Sequence, residues 1–290
     1  MSIHFSSEWW DWVQEAITKG CTKDSMIEAM LKNGFDLEQA KSHIQEVEEK
    51  KISKLDRFPH LKNMDPAYDY SLPLSFIKNT NTIQLPDCLV DIAFRVSKPD
   101  VVRVDNFLSH DECDLLVEQS RSQLVPSTVV NYENNFGKVH EARTSEGMCF
   151  KRNETDLISA IEHRIAALIN LPVSHGEGIQ ILHYKVGAEY QPHYDYFPPD
   201  NPGARIYTDV GGQRVCSFIM YLNDVEDGGH TVLPKINLSV LPKKGSALYF
   251  SYLNSKGQVD SQTFHGGAPV IKGEKWIATK WVREREYSRV

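Results

Sequence analysis

The stretch EYQPHYDYF, residues 189–197, places His193 and Asp195 two positions apart. In an extended chain, side chains at i and i+2 share one face. An imidazole and a carboxylate on one side of a strand supply two ligands of a metal site. His265, in QTFHGGAPV near the end of a short β-rich run, is the third ligand expected. Two histidines and one carboxylate form the facial set that holds non-haem iron(II) and leaves coordination positions open. The same three side-chain types also serve zinc hydrolases, so the donor set alone leaves the metal open. Lys275 lies ten positions after His265, across VIKGEK, and a hairpin there would return its ammonium to the metal. A buried ammonium needs an anion, such as the far carboxylate of a metal-chelating diacid. Taken singly, Lys275 reads as a solvated lysine, as Lys272 does.

These residues must be carried by strands. After Pro172 helical periodicity gives way to short β-rich runs: GIQILHYKV, YQPHYDYF, VCSFIMYLN, HTVLP, LSVLP, SALYFSYL, TFHGGAPVI and KWIATKWVRE. Turn signals separate many of them, among them Asp227-Gly228-Gly229 and Lys272-Gly273. Short strands at this spacing predict an antiparallel sandwich or barrel. RVSKPDVVRVDNFLS reads as a preceding strand. Ser109 with Glu112 forms a capping box for one covering helix, and residues 155–169 form a second. Segments 197–214 and 129–142 read as loops, the first mobile and rich in proline and glycine.

Upstream, residues 1–50 predict three short helices forming a small bundle. Trp9, Trp12, Val13, Ala16 and Ile17 mark the first, Met26 and Met30 the second, and Leu37, Ala40, Ile44 and Val47 the third. The bundle is expected to cap the main domain, bind a protein partner or dimerise. Residues 51–94 carry Pro59, Pro66, Pro73 and Pro86 and predict an extended strap. The main domain is expected over residues 95–290.

The chain has 290 residues, a net charge of -7 and 24% charged residues. No basic footprint of a nucleic-acid binder stands out in these totals. No stretch approaches the ~20 apolar residues of a membrane span. Five cysteines without CxxC spacing suit free thiols, and the first residues lack a signal-peptide pattern. A cytoplasmic protein is expected, with no nucleic-acid or membrane partner.

Four blocks in order carry a resemblance to a known family. They are ARTSEG, IQILHYKVGAEYQPHYDY, FIMYLNDVEDGGHTVLP and FHGGAPVIKGEKWIATKWVRE. Together they resemble the prolyl 4-hydroxylase catalytic domain, a branch of the 2-oxoglutarate/Fe(II)-dependent dioxygenases. The chain departs at His230, Leu233 and His265-Gly266-Gly267-Ala268-Pro269, without losing an expected ligand. The resemblance implies an α+β fold with a double-stranded β-helix (jelly-roll) core and supporting helices. It implies His193, Asp195 and His265 as Fe(2+) ligands. It implies Lys275 on the distal carboxylate of 2-oxoglutarate, helped by Tyr184 and Thr231. Arg143 and Trp281 are expected near the substrate. O2 is the second cosubstrate and L-ascorbate an expected auxiliary. Retention of Asp195 favours hydroxylation over halogenation. The substrate implied is a prolyl residue in a peptide or protein. A free amino acid or other small molecule, or a non-catalytic jelly-roll scaffold, are the alternatives.

Overall fold

The computed structural model describes residues 9, 12–13, 16–17, 21–55, 68–127 and 143–288. The chain divides into two compact units, Met1–Pro66 and Ala67–Val290. In the first, Thr22 accepts a hydrogen bond from the Ser25 amide and starts helix α1, Lys23–Lys32. Gly34 turns the chain at φ 92°, a conformation that glycine adopts without steric cost. Helix α2, Leu37–Leu55, follows. It opens on a reciprocal pair in which Asp36 Oδ1 accepts from the Gln39 amide and Gln39 accepts from the Asp36 amide. Helical residues at Trp9, Trp12–Val13 and Ala16–Ile17 precede them. Val13, Met26, Met30, Phe35, Ala40, Ile44 and Val47 close a core of their own.

The second unit contains the strands. The first hairpins are β1 (Thr82–Gln84), β2 (Leu89–Ser97) and β3 (Asp100–Asp105). Helix α3 (His110–Arg121) begins at Ser109, where both halves of the capping box form. Strands β4 (Val125–Pro126) and β5 (Glu146–Phe150) lead to helix α4 (Asp156–Ile169). Then come β6 (Gly176–Tyr184), β7 (Tyr190–His193), the short helix α5 (Arg205–Thr208) and β8 (Arg214–Tyr221). The chain continues through β9 (Asp227–Gly228), β10 (Thr231–Leu233), β11 (Leu238–Val240) and β12 (Ala247–Ser251). It ends in β13 (His265–Gly267), β14 (Val270–Lys272) and β15 (Lys275–Arg283).

Nine strands form one antiparallel sheet in the order β1-β2-β3-β12-β8-β15-β6-β5-β4. Four form a second, β11-β10-β13-β7. Period-two alternation divides the central strands of the large sheet. On β15, Trp276, Ala278 and Val282 join the helix-covered core, while Lys275, Ile277, Thr279 and Trp281 line a cavity that strands of the small sheet also line. On β8, Cys216, Phe218 and Met220 face the core and Ile219 faces the cavity. Helix α4 packs Ile158, Ile161, Ile165, Leu168 and Ile169 into that core. Full burial of each such side chain contributes roughly 1.5–3 kcal/mol. A buried ion pair between Glu162 of α4 and Lys280 of β15 pins the helix to the sheet. Among the described residues no helix is long and apolar enough to cross a membrane.

Several expectations are corrected. The segment RVSKPDVVRVDNFLS is a hairpin of β2 and β3 rather than one strand, because Pro99 sits in its turn. The expected boundary after residue 94 therefore falls inside β2. Residues 68–94 belong to the second unit, with β1 and β2 hydrogen-bonded into its sheet. Helix α2 runs past residue 50 to Leu55, through the charge run. The strap expected over 56–67 and the loop expected over 129–142 lie outside the described residues. Segment 197–214 contains the helical turns Pro202–Ala204 and Arg205–Thr208. Arg283 ties it down by donating to the carbonyls of Tyr207 and Gly212.

Candidate active site

Strand β7 ends on His193, and β13 begins on His265 directly opposite it in the register. Close approach of these strands depends on Gly266. A Cβ there would lie 2.8 Å from the Tyr190 carbonyl oxygen and 2.9 Å from the Pro192 nitrogen. The Nδ1 of His193 sits 3.0 Å from the Gln191 carbonyl oxygen, and that of His265 sits 3.0 Å from the Thr263 carbonyl oxygen. A carbonyl only accepts, so each Nδ1 bears a proton, which leaves each Nε2 as the atom able to ligate a metal. Both Nε2 atoms lie 3.4 Å from Asp195, one at each carboxylate oxygen. The three potential ligand atoms fall within 4.8 Å of one another. Ligands ~2.1 Å from one ion and at right angles to each other lie ~3 Å apart, so the set fits one metal ion.

Asp195 lies just past the end of β7, so strand alternation alone does not aim it. Ser217 of β8 donates to its Oδ2 at 2.5 Å, and Arg214 donates to its backbone carbonyl at 3.3 Å. Burial by itself would raise the Asp195 carboxyl. The His265 and His193 imidazoles override that and hold it well below the usual carboxylate range. Burial, then the neighbouring His265, lowers His193. His193 is thus biased toward the neutral ligand form. Tyr190 stacks on His193 with ring centroids 3.7 Å apart, and Phe250 lies 4.5 Å from His265.

Lys275 is 2% exposed. Its ammonium lies 5.4 Å from the Tyr184 ring centroid and makes no ion pair among the described residues. Burial pushes it down to about 7. A buried cation without an anion is a costly arrangement that a carboxylate ligand relieves. His265 and Lys275 are not joined by the simple hairpin expected. β13 belongs to the small sheet and β15 to the large one, with β14 pairing to β9 between them. The chain crosses from one sheet to the other, and both residues still line one cavity.

All eight residues singled out from the sequence meet there: His193, Asp195, His265, Lys275, Tyr184, Thr231, Arg143 and Trp281. Arg143 is 7% exposed. It donates to Gln180 and lies 4.7 Å from the Tyr190 ring centroid. Trp281 carries the Arg214 guanidinium 3.9 Å from its ring centroid, and among the described residues its buried Nε1 has no hydrogen-bond partner. His230 bonds to Ser239 rather than lining the cavity. Sequence reasoning missed Tyr190, Arg214 and Ser217. Ser217 had a signal, as a small polar residue inside the apolar strand VCSFIMYL; buried polar side chains usually have a partner to hold.

A His-Asp-His cluster able to hold a divalent metal, beside a buried lysine and between antiparallel sheets, fits a metal-dependent enzyme. Residues 179–283 match the family model of the 2OG-Fe(II) oxygenase superfamily. Prolyl 4-hydroxylase 5 of Arabidopsis thaliana is 39% identical over 209 residues, covering 66% of this chain and 70% of the relative. Probable prolyl 4-hydroxylase 3 of the same plant is 41% identical over 201 residues, covering 63% and 68%. A solved structure, the viral collagen prolyl hydroxylase of Paramecium bursaria Chlorella virus 1 in its 2OG complex, is 28% identical with a TM-score of 0.50, covering 63% of this chain and 95% of that one. The chain belongs to the prolyl 4-hydroxylase family within the 2OG-Fe(II) oxygenase superfamily.

Proposed function

We propose that this protein hydroxylates prolyl residues of a peptide or protein, using Fe(II), 2-oxoglutarate and O2. One observation carries the reading: a buried lysine without an acid shares a cavity with a His-Asp-His cluster whose Nε2 atoms converge. His193, Asp195 and His265 would hold the iron. Ser217, bonded to one Asp195 oxygen, keeps that carboxylate in a fixed orientation. Lys275, Tyr184 and Thr231 would grip the far carboxylate of the diacid, because charge and hydroxyl donors together suit an anion. Leu182, Ile219 and Ile277 supply apolar wall that excludes water around it. Iron with 2-oxoglutarate and O2 supplies the oxidising power that places one oxygen atom in a C–H bond. The unpartnered Trp281 Nε1 and the Arg143 guanidinium provide donors for substrate carbonyls.

In this reading the two sheets are the layers of a double-stranded β-helix, and L-ascorbate keeps the iron ferrous. The N-terminal unit serves as a docking or dimerising module, a role its separate core and the exposed Leu31 and Leu37 support. A cytoplasmic setting is supported by five free cysteines. Incubation with iron, 2-oxoglutarate and ascorbate is expected to add one oxygen atom to proline-containing peptides, detected by mass spectrometry. Oxidation of free amino acids with peptides untouched would refute the substrate class, and absence of any 2-oxoglutarate turnover would refute the enzyme.

A further inference from the structure

We infer that Tyr221 is a positioning residue for the far carboxylate of the diacid. It donates its hydroxyl proton to Thr231 and thereby turns the Thr231 proton into the cavity. The inference rests on the reading of this cavity as the 2-oxoglutarate site.

Tyr221 is the last residue of β8 and is fully buried. Its hydroxyl donates to Thr231 Oγ1 at 2.8 Å. A threonine hydroxyl has one proton to give and lone pairs to receive. With Tyr221 occupying a lone pair, the Thr231 proton needs an acceptor elsewhere. No described residue accepts it, although Thr231 is 3% exposed. Its register partner on β13 is Gly267. The place a Gly267 Cβ would occupy is 3.7 Å from the Lys275 ammonium, so Thr231 and Lys275 address the same corner of the cavity. Tyr221 does not line that cavity and acts only through Thr231. Burial pushes Tyr221 up to about 12, so it stays a donor across the working pH range. The chain Tyr221 O–H to Thr231 O–H to carboxylate is cooperative, because each bond polarises the next.

The test uses the full-length Fe(II)-loaded protein without oxygen and follows binding by titration calorimetry. The probes are 2-oxoglutarate and 2-oxopentanoate, which keeps the chelating keto acid and lacks the far carboxylate. Tyr221→Phe is expected to weaken 2-oxoglutarate binding about fivefold and to leave 2-oxopentanoate binding unchanged. Thr231→Val is expected to weaken 2-oxoglutarate binding as much or more, and adding Tyr221→Phe to it should cost nothing further. A purely structural role for Tyr221 would weaken both acids by one factor, which overturns the inference. So do an unchanged affinity for 2-oxoglutarate and multiplying effects of the two substitutions. A wild-type protein that binds the two acids alike overturns the assignment of the cavity itself, a result distinct from any change in the variants.

Discussion

Binding of 2-oxoglutarate should take up a proton from solution above neutral pH, and Lys275 sets the amount. Burial pushes its ammonium down to about 7 when no anion is beside it. At about pH 8 the free site is then ~90% neutral, and at about pH 6 ~90% charged. A carboxylate placed against Lys275 restores the charged form and returns its pKa toward the ordinary lysine value. Binding at about pH 8 therefore takes up about 0.9 proton, and at about pH 6 about 0.1. The sign follows: a lysine whose free-site pKa is depressed binds the diacid best below that pKa and loses affinity as pH rises through it. The loss is about fivefold between pH 7 and 8 and approaches tenfold per unit beyond. Calorimetry at fixed pH in buffers of different ionisation heat reads the proton count directly. Lys275→Met should abolish the uptake and weaken binding ~10- to 100-fold, the range for a lost hydrogen bond to a charged group. Zero uptake at about pH 8 in the wild type would refute the claim that the desolvated Lys275 is largely neutral before the diacid binds.

Three further outcomes are expected. Asp195→Ala should abolish substrate-dependent succinate formation and weaken Fe(II) or Co(II) binding; near-wild-type turnover would remove Asp195 from the ligand set. Glu162→Ala strands Lys280 in the core and should cost about 3–5 kcal/mol, seen as a melting temperature lower by roughly 6–20 °C; an unchanged melting curve would show the pair to be dispensable. Burial alone would raise Glu177, but Arg214 and Arg283 hold it below the usual value. A carboxyl depressed on folding contributes stability above its unfolded pKa, and that contribution is lost as pH falls through the folded one. Acid unfolding below about pH 4.5 should therefore be blunted in Glu177→Gln relative to its own neutral-pH stability.

The chemistry was more legible in the chain than the paths that assemble it. His193, Asp195 and His265 were legible as a candidate ligand set from residue type and spacing, whereas Lys275 read as a solvated lysine until the four ordered blocks carried the family resemblance. The helix at Ser109 was legible because a capping box is a local signal. Sheet membership is not local. Nothing between His265 and Lys275 announces that β13 pairs with β7 and β10 while β15 pairs with β6 and β8. The β2–β3 turn did carry a marker, Pro99, but the apolar residues on both sides masked it as one run. Tyr190 and Tyr221 were hidden for another reason. An aromatic in a strand reads as packing, and only a partner's position distinguishes a ring stacked on a ligand from one filling space.

His193 and His265 stand on the four-stranded sheet, and Lys275 and Tyr184 on the nine-stranded one. In the proposed site the far carboxylate meets Lys275 of the large sheet and Thr231 of the small one, so the docking of the two layers helps gauge the length of the acid. Oxaloacetate, one carbon shorter, would leave the ammonium unreached, and 2-oxoadipate, one carbon longer, would have to buckle or wedge the layers apart. Selection among keto-diacids is then a property of how the two layers dock, and core substitutions remote from the iron can shift it.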